Sequence, residues 1–174
     1  MNKAATIAWL GKWNALYDTV YDNEVSKYRG RRSLGLDELE VIYGWKYRGL
    51  WPAKKVRALR EHVTDRQARD WTRRALACPD DLGALCIAGL LAGAGPGGAS
   101  AVLTAADPIR FTVMDTRAIK SLAFLGKWSI DAQGSVASYR HWLDYLDQCR
   151  GLAMLSGMDL REVDRALYEA AGKP

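Results

Sequence analysis

The sequence of 174 residues lacks the features that mark membrane and exported proteins. It has no run of about 18 apolar residues, which is the length that a membrane-spanning helix needs. The N-terminus carries only a short apolar patch with no cleavage-site pattern after it, so we interpret it as a helix of the mature protein. We expect a cytoplasmic protein that has no membrane partner.

Histidine and cysteine are scarce as well. His62 and His141 are isolated, and Cys78, Cys86 and Cys149 do not combine with them at any familiar zinc-ligand spacing. Three scattered cysteines indicate buried thiols in a reducing compartment rather than a disulfide framework. The sequence therefore predicts no metal site built from these side chains.

Alternating apolar and polar residues, the mark of a strand, are nearly absent. The short segment 109–114 is the one candidate strand, whereas apolar residues elsewhere recur at helical spacing. We predict an all-α fold, a compact bundle of about nine or ten short helices in a single domain over residues 1–174. A division into two lobes is an alternative, with residues 30–125 in a central lobe and the N-terminal helix plus residues 126–174 in a second.

Start and stop signals locate the individual helices. The first predicted helix covers residues 4–27, the second runs from about Asp37 to near Gly49, and the third begins close to Pro52. Thr64 and Gln67 have the spacing of a capping box. The remaining start signals are Pro79, Pro96, Asp115 and Asp159.

Positive charge is concentrated in two short segments of a chain whose net charge is +5. Residues 46–60 contain six basic side chains and no acid, and residues 27–32 contain four more. These side chains form either a solvated face of helices or a surface that binds a polyanion such as DNA.

The segment 91–103, "LAGAGPGGASAVL", places glycine and proline inside an apolar region. It predicts a helix, a tight turn and a second helix that begins at about Pro96. Glycine in the turn permits positive φ and lets the backbone approach another molecule. The amide groups at the start of the second helix would then suit an anion such as a DNA phosphate. An ordinary turn between helices, with glycine as C-cap, is the alternative.

Together with the residues that follow it, this segment resembles the helix-hairpin-helix signature of the DNA glycosylase superfamily that includes endonuclease III. The resemblance covers about 35 residues and implies a glycosylase-like helical fold for the whole chain. The matching positions are Leu91, Gly93, Gly95, Ala99, Val102, Leu103, Val113, Asp115 and Thr116.

The resemblance implies that Asp115 is the catalytic carboxylate. It lies eighteen residues after Gly97, which occupies the place of the lysine found in lyase-type members. Loss of that lysine leaves a monofunctional glycosylase, in which water removes a modified or mispaired base with the help of Asp115. A cap for the helix after it is the structural alternative for Asp115.

The interpretation as a DNA glycosylase assigns DNA contacts to the hairpin and to the basic segment before it. Lys46 and Arg48 would lie near the DNA backbone, and Tyr43 and Trp45 would line a pocket for a flipped base. Core aromatics are the alternative for the last two. The hairpin residues assigned to DNA binding are Gly93, Ala94, Gly95, Gly97 and Gly98.

We expect no iron–sulfur cluster, because Cys149 is the one cysteine in the C-terminal third. A monovalent cation at the hairpin is allowed by the resemblance. The expected partner is duplex DNA with one base flipped out, bound by a monomer associated with the nucleoid. Two alternatives stay open: a non-catalytic DNA-binding protein that kept the fold, and an enzyme that acts on a nucleotide or modified base by another reaction.

Overall fold

The computed structural model describes residues 1–48, 52–128, 138–171 and 173. Over these residues it contains no strand, which confirms the prediction of an all-α chain. It also contains a short 3₁₀ helix at Thr19–Asp22. The described α-helices are α1 (Lys3–Leu16), α2 (Asn23–Ser26), α3 (Leu36–Lys46), α4 (Pro52–His62), α5 (Asp65–Ala77), α6 (Asp81–Ala88), α7 (Gly95–Ala106), α8 (Thr116–Phe124), α9 (Tyr139–Ser156) and α10 (Leu160–Ala170).

The chain divides into two compact units. Unit 1 consists of Met1–Asp18 and Thr112–Pro174, and unit 2 consists of Thr19–Phe111. Asp115 therefore belongs to unit 1, whereas the glycine-rich hairpin belongs to unit 2. No helix in the described parts of either unit is long and apolar enough to cross a membrane.

Unit 1 is built around α10, which contacts α1, α8 and α9. Its apolar residues Leu160, Val163, Leu167 and Ala170 recur at helical spacing and are all buried. Asp159 accepts a hydrogen bond from the backbone N–H of Glu162, in a capping box that confirms the predicted start of this helix.

A buried carboxylate, that of Asp164 on α10, organises the interior of unit 1. Its side chain is 2% exposed and forms a salt bridge with Arg161. It also accepts a hydrogen bond from Tyr145 Oη at 2.9 Å and from the backbone N–H of Val113 at 3.4 Å. Because a buried charge is costly unless it is paired and hydrogen-bonded, these contacts are what permit Asp164 in the core.

Unit 2 is built around α7, which contacts α2, α3, α5 and α6. Every residue of α7 from Gly98 to Ala106 is buried. Small side chains let neighbouring helices approach, and the hydroxyls of Ser100 and Thr104 donate to carbonyls of the helix itself. This burial identifies the apolar residues after the glycine-rich turn as the core of the unit.

Several predicted helix starts are confirmed. Thr64 and Gln67 form the expected capping box of α5, and α4 begins at Pro52. The helix expected at Pro79 begins two residues later at Asp81, because the Asp80 side chain caps it by accepting from the backbone N–H of Gly83. The predicted end of α3 near Gly49 lies outside the described residues, and the helix ends at Lys46.

Two local predictions are corrected. The helix predicted over residues 4–27 ends at Leu16, because Tyr17 is extended and the apolar side chains of Val20 and Tyr21, which continued the periodic pattern, are exposed. The candidate strand 109–114 is not a strand. Two backbone groups within it are bonded by side chains instead of by a neighbouring strand.

We predict that replacement of Asp164 by Ala lowers the free energy of unfolding by about 3–5 kcal/mol, because it leaves the Arg161 charge without its buried partner. Tyr145→Phe, which removes one hydrogen bond to the Asp164 carboxylate, should cost about 1.5–3 kcal/mol. Urea unfolding measures both, and Asp144→Ala on the exposed side of α9 is the control. A loss below about 1 kcal/mol for Asp164→Ala would contradict this account of the core.

Candidate functional site: a clamped hairpin and a capping aspartate

The hairpin of unit 2 joins the end of α6 to the start of α7. Gly93 has φ of +75° and Gly95 has φ of +55°, a backbone region that L side chains rarely adopt. The expectation of positive φ in this turn is therefore confirmed. Pro96 occupies the first turn of α7, where its missing N–H leaves no intrahelical bond unmade.

Three side chains, from α3, from the C-cap residue of α3 and from α4, donate hydrogen bonds to three consecutive carbonyls of this hairpin. We call this set the carbonyl clamp. Its bonds run from Tyr43 Oη to Ala92 O at 3.4 Å, from Lys55 Nζ to Gly93 O at 2.9 Å, and from Tyr47 Oη to Ala94 O at 2.9 Å.

Tyr47 is the central member of the clamp. Its ring lies perpendicular to that of Tyr43 with centroids 5.8 Å apart, and Lys55 Nζ lies 5.3 Å from the centre of the same ring. Burial raises the pKa of Tyr47 to about 12. Tyr47 also explains Gly98, because a Cβ at that position would lie 2.7 Å from Tyr47 Oη.

The amide groups of the hairpin are arranged differently from its carbonyls. The N–H of Gly98 bonds to Ala94 O and closes the first turn of α7. Among the described residues, the N–H groups of Gly95 and Gly97 have no acceptor, as is usual for the first turn of a helix. Donors at a helix N-terminus favour an anion, and the helix dipole adds to this preference.

The resemblance allows a monovalent cation at the hairpin, where carbonyl oxygens would be its ligands. The Gly93 carbonyl already accepts from an ammonium group, so a metal ion at that oxygen would meet a like charge from Lys55. Within the described residues, no group of three or more His, Cys, Asp or Glu side chains offers another metal site. A cation at the hairpin stays a prediction, and Lys55 weighs against it.

The four side chains predicted before the hairpin lie in different environments. Lys46 and Trp45 are half-buried, whereas Arg48 is exposed, where it pairs with Glu24 at 3.2 Å and lies over the Tyr21 ring. Their assigned DNA contacts stay predictions. Tyr43 is fully buried, so it is a core aromatic here, and a base could stack on it only after the core opened.

Two cations of α4, Lys54 and Arg57, were not among the side chains that the sequence analysis assigned to DNA binding. Lys54 and Arg57 are exposed, and neither has an ion pair in the part of the chain that the structure describes. They flank Lys55, whose side chain bonds the hairpin. The acid-free run from residue 46 to residue 60 was the signal for them.

Other arginines of unit 2 are already neutralised by carboxylates. The sequence does not reveal the partners of Arg60, because they come from α3, whereas the pairs with Asp65 and Asp70 join residues three or four apart within α5. The pairs are Arg60 with Asp37 and Glu40, Arg69 with Asp65 and Glu38, and Arg73 and Arg74 with Asp70.

Asp115 is the N-cap of α8 in unit 1. Its Oδ1 atom accepts a hydrogen bond from the backbone N–H of Arg117 at 2.9 Å, and the residue is only partly buried. The chain before it is fixed on both sides: Trp142 Nε1 donates to Thr112 O at 3.2 Å, and the N–H of Val113 donates to Asp164. The capping role considered for Asp115 is thus present, and its carboxylate is not sealed in the core.

Comparisons of the chain with known protein families, with characterised proteins and with solved structures give no significant match. The resemblance over residues 91–116 therefore rests on the motif.

We predict that the clamp gives wild-type protein a stability that is lost at high pH. Folded Tyr47 keeps its proton up to a pKa of about 12, whereas the unfolded chain releases it near 10.0. The free energy of unfolding should therefore fall as the pH rises between these values, and Tyr47→Phe should lack this part of the fall. Urea unfolding from about pH 9 to pH 12 tests this expectation. Parallel curves for the two proteins would contradict it.

Proposed function

We propose that this protein is a monofunctional DNA glycosylase that removes a modified or mispaired base by water attack assisted by Asp115. The observation that carries the proposal is the hairpin itself. Its carbonyls are bonded by Tyr43, Tyr47 and Lys55, while the amide groups of Gly95 and Gly97 remain for a ligand. A backbone that offers donors in a fixed geometry suits a phosphate oxygen.

The charge of unit 2 supports a polyanionic ligand. Lys54 and Arg57 add two exposed cations on the helix that holds the hairpin through Lys55. Neutralising phosphates releases condensed counterions, so DNA binding by these groups should weaken with salt. A solvated helix face would show no such linkage.

The proposed chemistry follows from the breaking of an N-glycosidic bond. As the base leaves, positive charge develops on the deoxyribose, and a carboxylate stabilises that charge and orients the attacking water. Asp115 is partly exposed and held at a helix start, which suits this role. The water oxygen becomes bonded to the sugar carbon and gives up one proton. The base leaves with the bonding electron pair and takes up one proton, so the net reaction is hydrolysis.

The product should be an abasic site in an unbroken strand. Position 97, which carries the lysine in lyase-type members of the family that this motif resembles, is glycine here. Without an amine at that position no Schiff base with the sugar can form there, so strand cleavage by this route is not expected.

A second function, DNA binding without catalysis, is favoured by one specific observation. The Oδ1 atom of Asp115 caps α8, and this alone is a structural reason for an aspartate at this position. On this alternative the hairpin binds duplex DNA but no base is released from any substrate.

We predict that Asp115→Asn lowers base release by about 100-fold or more, because the amide lacks the negative charge that the transition state requires. Asparagine caps a helix as well as aspartate does, so the variant should fold and bind duplex DNA like the wild type. Mass spectrometry of bases released from a panel of damaged and mispaired duplexes measures the effect.

The matched control is Asp144→Asn, which removes an exposed carboxylate from α9 of the same unit. Equal base release by wild type and Asp115→Asn would refute the catalytic role. Binding without base release from any duplex of the panel would favour the non-catalytic alternative.

A further inference from the structure

Unit 1 carries a cluster of arginine and tyrosine side chains that the proposed chemistry does not use. We call it the Arg–Tyr cluster. The rings of Tyr17 and Tyr168 meet edge to face with centroids 6.3 Å apart. Over these rings lie the guanidinium groups of Arg117 (4.3 Å from the Tyr168 ring), Arg161 (5.9 Å from the Tyr17 ring) and Arg165 (5.6 Å from the Tyr17 ring).

The arginines of the cluster differ in how their charge is balanced. Arg161 is half-buried, forms a salt bridge with Asp164 and donates to Tyr17 Oη at 3.4 Å, so it is a structural member. Arg117 is exposed, and among the described residues no carboxylate pairs with its guanidinium group. Its charge is therefore available to an anionic partner.

The stack on Tyr168 prepares Arg117 for such a partner. A guanidinium group attracted to the face of an aromatic ring is held in place by that contact, while N–H groups that point away from the ring remain able to donate. The edge of an arginine matches two oxygens of a phosphate. Because part of the side-chain entropy is already lost in the free protein, less is lost on binding.

The backbone of Arg117 lies beside the proposed catalytic group. Its N–H donates to Asp115 Oδ1 at 2.9 Å, so both residues belong to the same first turn of α8. On this basis we propose that Arg117 binds a phosphate of the DNA strand whose nucleoside reacts at Asp115. The inference rests on the proposed function and adds to it a phosphate contact in unit 1, separate from the hairpin in unit 2.

The test is the salt dependence of duplex binding by wild-type protein, Arg117→Gln and Arg117→Lys. Loss of one phosphate contact should lower the slope of log K against log salt by about 0.9, and lysine should restore it because the charge returns. At moderate salt we expect Arg117→Gln to bind roughly threefold to tenfold more weakly. Arg140→Gln removes an exposed charge of α9 in the same unit and should keep the wild-type slope.

A double variant of unit 2, Lys54→Gln with Arg57→Gln, separates this inference from the proposed function. If this double variant lowers the slope while Arg117→Gln keeps the wild-type value, the Arg117 contact is refuted and DNA binding by the hairpin unit stands. If Arg140→Gln lowers the slope as much as Arg117→Gln, the effect is general charge and the contact is also refuted. Wild-type protein that does not bind duplex DNA would overturn both proposals.

Discussion

The hydrogen bonds from Tyr43, Tyr47 and Lys55 to three consecutive hairpin carbonyls are the interaction on which the candidate site depends. A turn rich in glycine has many accessible conformations, and its ordering costs more entropy than that of other residues. Donors from two helices offset that cost and select one conformation. They also consume the acceptors of the turn, so what it offers to a ligand is the N–H groups at the start of α7. The chemical character of the hairpin as a donor surface therefore follows from residues that lie 38 to 49 positions earlier in the chain.

Hydrogen bonds from side chains also hold the backbone that leads to Asp115. Asp115 lies at the end of an irregular segment whose backbone is bonded by Trp142 and by the buried Asp164. The catalytic role proposed for Asp115 would benefit from this, because reorganisation costs little when neighbours fix a group before substrate arrives. In each unit, therefore, side chains from the interior form hydrogen bonds with an irregular piece of backbone. Irregular backbone that is held this firmly is typical of binding sites placed on loops.

Local signals in the sequence predicted a large part of the fold. The helical spacing of apolar residues, the capping box at Thr64 and the N-cap at Asp159 each depend on neighbours within four positions, and each is present. The apolar pattern failed at Val20 and Tyr21, because periodicity does not reveal whether a face has anything to pack against. Similarly, the positive φ of Gly93 and Gly95 could be anticipated from the turn, whereas the clamp on its carbonyls could not, since Tyr47 and Lys55 reach it through tertiary structure. Charge shows the same limit. The pairing of Arg60 with Glu40 joins two helices, and among the described residues it leaves Lys54 and Arg57 as exposed cations of α4 without an ion pair.

The central claim is that the amide groups of Gly95 and Gly97 bind phosphate oxygens of duplex DNA while the clamp holds the turn. Nuclear magnetic resonance of ¹⁵N-labelled protein tests it directly, because glycine amide signals are usually resolved and a new hydrogen bond to phosphate moves the amide proton downfield. The account predicts saturable downfield shifts of these two signals when duplex is added, and weaker binding with smaller shifts in Tyr47→Phe. Duplex binding that leaves both signals unmoved would contradict it.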